Sequence, residues 1–304
     1  MPSVSLRFLH SLCLLVCGLL ALTPGRAVAC TDVLLKSTEG YLHVRSMDFH
    51  IPLAAVPLVV QRGMSFSSTG SDGRLGKQWK NTYAYAGMES KGMAAGDMLD
   101  GINEAGLSIA ALWLKPTRFA EKASGPKALA STRLISYLLG TCKNVAEVAT
   151  ALNRLHIWGQ HIAALGGVPA VHLACTDAAG GYIVVEFMNG STKIYENPRR
   201  ALTNEPEFPA MLAATRQGKK LQGSARRFSL AEHFADSAVF PSQEEARTAA
   251  AAFFKRLYLP YAKGKTHTQW VIMKDLQAKT FSLYTKDGLQ KAVAVPRKDK
   301  AETN

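Results

Sequence analysis

The order in which the hydrophobic period changes along the chain constrains its fold more than any single motif. Over the first half the apolar residues fall in short strand-like runs, 32–36, 41–45, 56–61, 82–88 and 107–114, separated by turn residues. The Gly-, Ser- and Asp-rich stretch 65–76 reads as a surface loop, and Asn103-Glu104-Ala105-Gly106 reads as a hairpin turn. The spacing then lengthens to three and four residues over 131–139 and 144–155, two helices, with Asn144 placed to cap the second. Strands return at 170–176, 182–187 and 193–195, a second meander. Helical spacing recurs at 229–234 and 243–258, where Pro260 stops the run, and two last strands fit 270–273 and 280–284. Strands and helices in blocks, rather than alternating βαβ units, predict an α+β fold of antiparallel sheets covered by helices.

The leading residues stand apart from that pattern. Arg7 lies in an opening segment without acids, and the apolar run 12–22 is about half the ~20 residues a bilayer crossing needs. Pro24-Gly25, Arg26 and the triplet Ala27-Val28-Ala29 follow, an A-x-A cleavage site. The expected product is an exported chain, periplasmic or secreted, that starts at Cys30 and keeps no membrane attachment. A lipoprotein would also start with cysteine, but its site carries Leu where this chain has Ala27. A disulfide from Cys30 to Cys142 or Cys175 is the other structural use of that residue. The chain divides accordingly into a leader, 1–29, one domain, 30–285, and a polar lysine-rich tail, 286–304.

Composition removes several classes of function. With 304 residues, 47% hydrophobic and 19% charged, the chain can bury a core and is neither disordered nor fibrous. Its net charge of +13 is spread along the length without interleaved aromatics, which argues against a nucleic-acid partner. Five cysteines form no paired CxxC, and no HExxH, Walker loop or GxGxxG occurs, so neither metal nor organic cofactor is expected. His43, His50 and His172 read as strand or loop residues, and Asn103 as a turn residue.

An N-terminal cysteine carries a thiol and an α-amine on adjacent carbons. The amine's ordinary pKa, about 7.7–8.0, makes it a base near neutrality. It can take the thiol proton as sulfur attacks a carbonyl and return it to the departing nitrogen. Removal of the leader would therefore both export and activate such a residue.

Around that cysteine the chain resembles a known family. Cys30-Thr31 before a strand, Val44-Arg45-Ser46-Met47-Asp48, Ala201-Leu202-Thr203-Asn204-Glu205-Pro206 and Ala225-Arg226-Arg227-Phe228 look like the choloylglycine hydrolase and penicillin V acylase family of N-terminal-nucleophile (Ntn) hydrolases. The resemblance runs from Cys30 to about Tyr284. It implies a four-layer αββα sandwich and cleavage of linear amides, with a small N-acyl amide as partner and a homotetramer among the assemblies. Carried over, Cys30 matches the nucleophile and Asp48 the carboxylate that orients its α-amine. Arg45 and Arg227 match two guanidinium groups beside the thiol, where a cation favours thiolate. Asn204 and the backbone N–H of Trp113 match the oxyanion donors. Residues three apart in a strand face opposite sides, so Arg45 and Asp48 meet at one thiol only if the chain bends near Met47.

One departure bears on substrate. Bile-salt-cleaving members typically carry Asn where this chain has Trp113, and a Trp there looks like the Gram-negative penicillin V acylase branch, also associated with N-acyl homoserine lactones. Trp113 and Phe49 would form an apolar wall for the acyl group. The expected function is thus an exported cysteine amidohydrolase, penicillin V acylase-like or acting on acyl homoserine lactones. A bile salt hydrolase of the same mechanism is the alternative, and a non-catalytic exported binding protein is the alternative of another class.

Overall fold

Side chains alternate along a strand, and in this protein that alternation assigns each residue to a layer. The computed structural model describes residues 30–90, 97–217, 221–237 and 239–296; the leader expected at 1–29 lies outside them. In chain order the elements are β1 (Thr31–Ser37), β2 (Gly40–Phe49), β3 (Ala55–Val60), β4 (Ser65–Thr69), β5 (Leu75–Lys80), β6 (Tyr85–Ser90), β7 (Met98–Asn103), β8 (Ser108–Trp113), β9 (Ala128–Ala130), α1 (Leu134–Thr141), α2 (Val145–Leu152) and β10 (His156–Trp158). They continue with β11 (Val171–Thr176), β12 (Tyr182–Met188), β13 (Ser191–Glu196), β14 (Ala201–Leu202), α3 (Phe208–Arg216), α4 (Gly223–Asp236), α5 (Gln243–Leu257), β15 (His267–Asp275), β16 (Thr280–Thr285) and β17 (Gly288–Ala294).

Among the described residues, one antiparallel sheet has the order β14-β1-β2-β15-β16-β17 and the other β13-β12-β11-β8-β7-β6-β3. Leu34 and Ile272 of the first meet Ala110, Leu112, Ala174 and Val184 of the second in a shared core. The intervening residues point outward. Val33, Leu35, Val44 and Met273 pack under Ala246, Ala250 and Phe254 of α5, whereas Ile109, Leu173 and Val185 pack under Leu134, Leu138 and Val148 of α1 and α2. Three apolar seams therefore separate four layers, helix, sheet, sheet, helix, and each fully buried Leu, Val or Ile in them contributes about 1.5–3 kcal/mol.

Local chemistry explains where elements start and stop. Asn144 caps α2 by accepting from Glu147 N at 2.9 Å. Asn103 satisfies its whole amide: Nδ2 donates to the Leu139 and Cys142 carbonyls, and Oδ1 accepts from Ala105 N and Leu107 N. It ties the β7–β8 turn to the end of α1, a structural task.

Three readings need correction. The stretch 65–76 is no loop: β4 and the start of β5 form a hairpin because Phe66 stacks on Trp79 at 5.7 Å and Ser68 Oγ accepts from Ala130 N. The polar tail expected from 286 begins instead as β17, paired with β16 through a turn at Asp287-Gly288 whose glycine has φ +97°, and Val295 beyond it is buried. Helix α3 stands just after Pro206, in a stretch to which the sequence assigned no helix. Cys30, Cys142 and Cys175 are all buried free thiols, so none is spent on a disulfide.

Candidate active site

Cys30 stands at the entry to β1, one step beyond the Thr31–Ser46 pair of the β1–β2 ladder, and is only 1% exposed. Its sulfur lies 3.8 Å from Arg45 Nη2 and donates to the Asp48 carbonyl at 3.6 Å. The bend expected near Met47 is absent: β2 is continuous through Phe49, and the irregularity falls across the ladder, in β15 between Thr268 and Trp270. Arg45 and Asp48 keep opposite faces, as the pleat requires. Arg45 reaches the sulfur from the inner face. Asp48 meets it through its backbone, while Ser46 Oγ donates to Asp48 Oδ2 at 2.8 Å and the buried Oδ1 has no hydrogen bond among the described residues.

Arg45 also donates from Nη2 to the Ala111 carbonyl of β8, which fixes its guanidinium across the gap between the sheets. Three contacts hold Asn204 and its neighbours in place. Asn204 Nδ2 donates to the Trp113 carbonyl at 2.8 Å, Arg227 Nη2 donates to Asn204 Oδ1 at 3.0 Å, and Lys115 N donates to Glu205 Oε1 at 3.0 Å. Ser224, at the start of α4, bonds Thr203 through its hydroxyl at 2.9 Å, which sets Arg227 one turn further along the same helix beside Asn204. Because Leu114 N bonds Ala170 O, the Trp113 N–H and C=O point away from β11, to the side where β7 has stopped pairing.

On the protein side of the sulfur a cavity of about 250 Å³ opens, lined by Cys30, Arg45, Met47, Phe49, Trp113 and Leu134 among others, most of them apolar. The Phe49 and Trp113 rings are 5.5 Å apart and form one wall. Both aromatic residues singled out in the sequence thus reach the site.

Burial sets the electrostatics. It pushes the Cys30 thiol above its ordinary value; Arg45, the largest opposing influence, and Arg227 pull it down, and Asp48 adds to the rise. The two guanidinium groups act in the direction expected from the sequence, toward thiolate, while burial works against them. Burial likewise raises the Asp48 carboxyl, against the pull of Thr268, Ser46, Arg227 and Arg45. Among the described residues no three His, Cys, Asp or Glu side chains converge into a metal site.

A second layer of polar residues went unread in the sequence. His172 Nε2 contacts the Thr203 carbonyl at 2.8 Å, its Nδ1 faces Glu186 Oε1 at 3.3 Å, and the same oxygen accepts from Phe208 N at 2.8 Å. This pair grips the segment carrying Asn204 on both sides. Only their inward parity on β11 and β12 could have hinted at it.

Comparison with known proteins identifies the family. The model of the linear amide C–N hydrolases of the choloylglycine hydrolase family matches residues 30–231. Penicillin V acylase of Pectobacterium atrosepticum is 25% identical over 225 residues, 68% of this chain and 58% of that protein. Bile salt hydrolase/transferase of Lactiplantibacillus plantarum is 25% identical over 204 residues, 67% of this chain and 61% of that protein. The chain thus spans under two thirds of either relative. Among solved structures, a variant of conjugated bile acid hydrolase from Clostridium perfringens superposes with a TM-score of 0.72 at 18% identity, covering 87% of this chain and 92% of the other. Penicillin V acylase from Agrobacterium tumefaciens gives 0.71 at 22% identity, covering 85% and 83%. These likenesses establish the fold as the αββα sandwich of the Ntn-hydrolases. With the family model matching about two thirds of it from Cys30 onward, the chain belongs to the choloylglycine hydrolase family of linear amide C–N hydrolases.

Proposed function

We propose that the chain is an exported cysteine amidohydrolase in which Cys30, freed by cleavage after Ala29, is the nucleophile. The observation that carries this is the placement of the Cys30 sulfur between the Arg45 guanidinium and the mouth of an apolar cavity, with a buried carboxylate oxygen of Asp48 left unpaired nearby. In the full-length chain the Cys30 nitrogen is a peptide nitrogen. Cleavage turns it into an α-amine, and Asp48 Oδ1 supplies the acceptor that would orient it.

A thiol held protonated by burial needs a base, and the α-amine takes that proton as sulfur bonds to the amide carbon. The oxyanion is held by the second Asn204 Nδ2 hydrogen and the Trp113 N–H. The tetrahedral intermediate collapses by breaking the C–N bond, and the amine leaves with the proton from the α-ammonium. Water, deprotonated by the same amine, then cleaves the thioester and restores the thiol.

The cavity holds the acyl side. At about 250 Å³ it sits below the ~300–1,000 Å³ range of drug-sized ligand sites, which favours an aryl or single aliphatic acyl group over a fused steroid. Penicillin V-like phenoxyacetamides or N-acyl homoserine lactones are therefore preferred, with glycocholate the second reading supported by the bile salt relative. Rates on penicillin V, an acyl lactone and glycocholate with one purified sample rank them; greatest turnover of glycocholate reverses the order. Mass spectrometry of the first peptide of exported protein should show Cys30 at the start. Fast iodoacetamide labelling of Cys30 at neutral pH, lost in Asp48→Asn, supports catalysis, whereas slow labelling supports a binding protein.

A further inference from the structure

Behind the nucleophile, the inner faces of the two sheets carry charges that an apolar sandwich has no need of. Asp32 on β1, His43 and Arg45 on β2 and Lys274 on β15 face Asp100 on β7, Ser108 on β8 and Tyr182 on β12, and none of these is more than 1% exposed except Tyr182 at 5%. Lys274 Nζ is ion-paired to Asp100 Oδ1. The other oxygen of that carboxylate, Oδ2, lies 3.9 Å from Arg45 Nε, and neither Oδ2 nor Nε makes a hydrogen bond. At the far end Asp32 accepts from the Tyr182 hydroxyl and pairs with His43 Nε2, both at 2.6 Å, while His43 Nδ1 meets Ser108 Oγ at 2.7 Å. From Asp32 through Lys274, Asp100 and Arg45 to Cys30 the formal charges alternate in sign. His43 stands uncharged among them: burial lowers it and Lys274 adds to that, against Asp32 and Asp100.

Replacing such buried charges by well-packed apolar residues is often neutral or stabilising, so folding stability is a weak account of their presence. The geometry supplies a better one. One carboxylate is shared by two cations, and Lys274 holds it hydrogen-bonded while Arg45 meets it at a longer range. Without Lys274 the carboxylate could close on the idle Arg45 Nε and neutralise the guanidinium that faces the sulfur.

We propose that Lys274 and Asp100 are positioning residues that set, through Arg45, the charge presented to the Cys30 thiol. This rests on Cys30 being the nucleophile. The groups facing that thiol are Arg45 and Asp48 from β2 and Arg227 from α4; those facing Lys274 are Asp100, Asp32, His43 and the buried Cys175 thiol.

The test is the pH profile of iodoacetamide alkylation at Cys30, read peptide by peptide with buried Cys142 and Cys175 as internal references, alongside the pH profile of kcat/KM on the preferred amide. Lys274→Met should slow alkylation at pH 7 by about tenfold and recover at alkaline pH, a shift of about one pKa unit in the thiol. Asp100→Asn should act in the opposite direction, with faster alkylation at pH 7. The double variant Asp100→Asn/Lys274→Met, which removes one charge of each sign, should return to within about threefold of the starting protein, and Lys274→Arg should stay within the same range. A purely structural pair would slow both single variants together and leave the profile's position unmoved, and either result overturns the proposal. If Lys274→Met does not fold, the direction of Asp100→Asn decides. Alkylation needs no substrate, so absence of amidase activity, or activity surviving Cys30→Ser, would count against the proposed function and not against this charge coupling.

Discussion

Arg227 Nη2 donates to Asn204 Oδ1 at 3.0 Å, and this bond decides which end of the Asn204 amide faces Trp113. A guanidinium can only donate, so the oxygen must turn to Arg227 and the NH2 group to the site. Arg227→Met should lower kcat with little change in KM, because the amide becomes free to flip. Asn204→Ala, which removes the donor itself, should cost about 10²–10³ in kcat. Steady-state kinetics of the two variants checks both, and unchanged kcat in Asn204→Ala removes that residue from the oxyanion group.

The Trp113 ring and the Trp113 backbone are expected to serve different ends. Trp113→Ala leaves the N–H in place but takes away the ring that meets Phe49 at 5.5 Å, a contact worth about 0.5–1.5 kcal/mol beyond its buried area. The ratio of kcat/KM for a phenoxyacetyl amide to that for an acetyl amide should fall about tenfold, while kcat on the acetyl amide stays within a few-fold. Comparing the two substrates on both proteins measures this.

Acid should unfold the protein through the buried groups of its central seam. Burial is the largest influence on His43 and lowers it, so the folded chain binds fewer protons than the unfolded chain once pH drops below the ordinary value of 6.5. Burial opposes charge on Asp32, but His43, Lys274 and the Tyr182 hydroxyl together hold its carboxyl below the ordinary 3.8, which adds the same sign at lower pH. The stability both groups supply is complete at neutral pH and is lost as pH falls. Tm recorded between pH 7 and 4 should decline, and His43→Gln should flatten the upper part of that decline.

Glu186 is expected to matter through the segment it grips. Glu186→Ala strips a partner from both Phe208 N and His172, a loss of about 2–4 kcal/mol, and should lower kcat by loosening the Thr203–Asn204 stretch. Glu186→Gln, which keeps the oxygen that both Phe208 N and His172 meet, should recover most of both. Chemical denaturation and kcat measured on the pair of variants separate the two effects.

The parts of the architecture legible in sequence were those written in a repeating period. The runs at β1, β2, β8, β11 and β12 and the cap at Asn144 carry local signals, and each appears close to where its residues indicate. Helix α3 was missed although Phe208, Met211 and Leu212 have helical spacing, because Pro206 and Pro209 mark the same stretch as a turn. β4 was missed because its residues are mainly serine and threonine, and its one anchor, Phe66, depends on Trp79 from the next strand. β17 was missed because a lysine-bearing edge strand exposed along nearly its whole length resembles a tail.

By itself the sequence determined the layers: alternation along each strand chooses a face, and a face rich in Val and Leu must be covered. It also carried the family resemblance, since Cys30, Arg45, Asp48, Asn204 and Arg227 sit in short local motifs. Only the tertiary structure decided how Asp100 and Lys274, 174 positions apart, came to pair behind Arg45. No local rule encodes that pairing, because it arises when two sheets close face to face and charges that water would have separated are left with only each other for company.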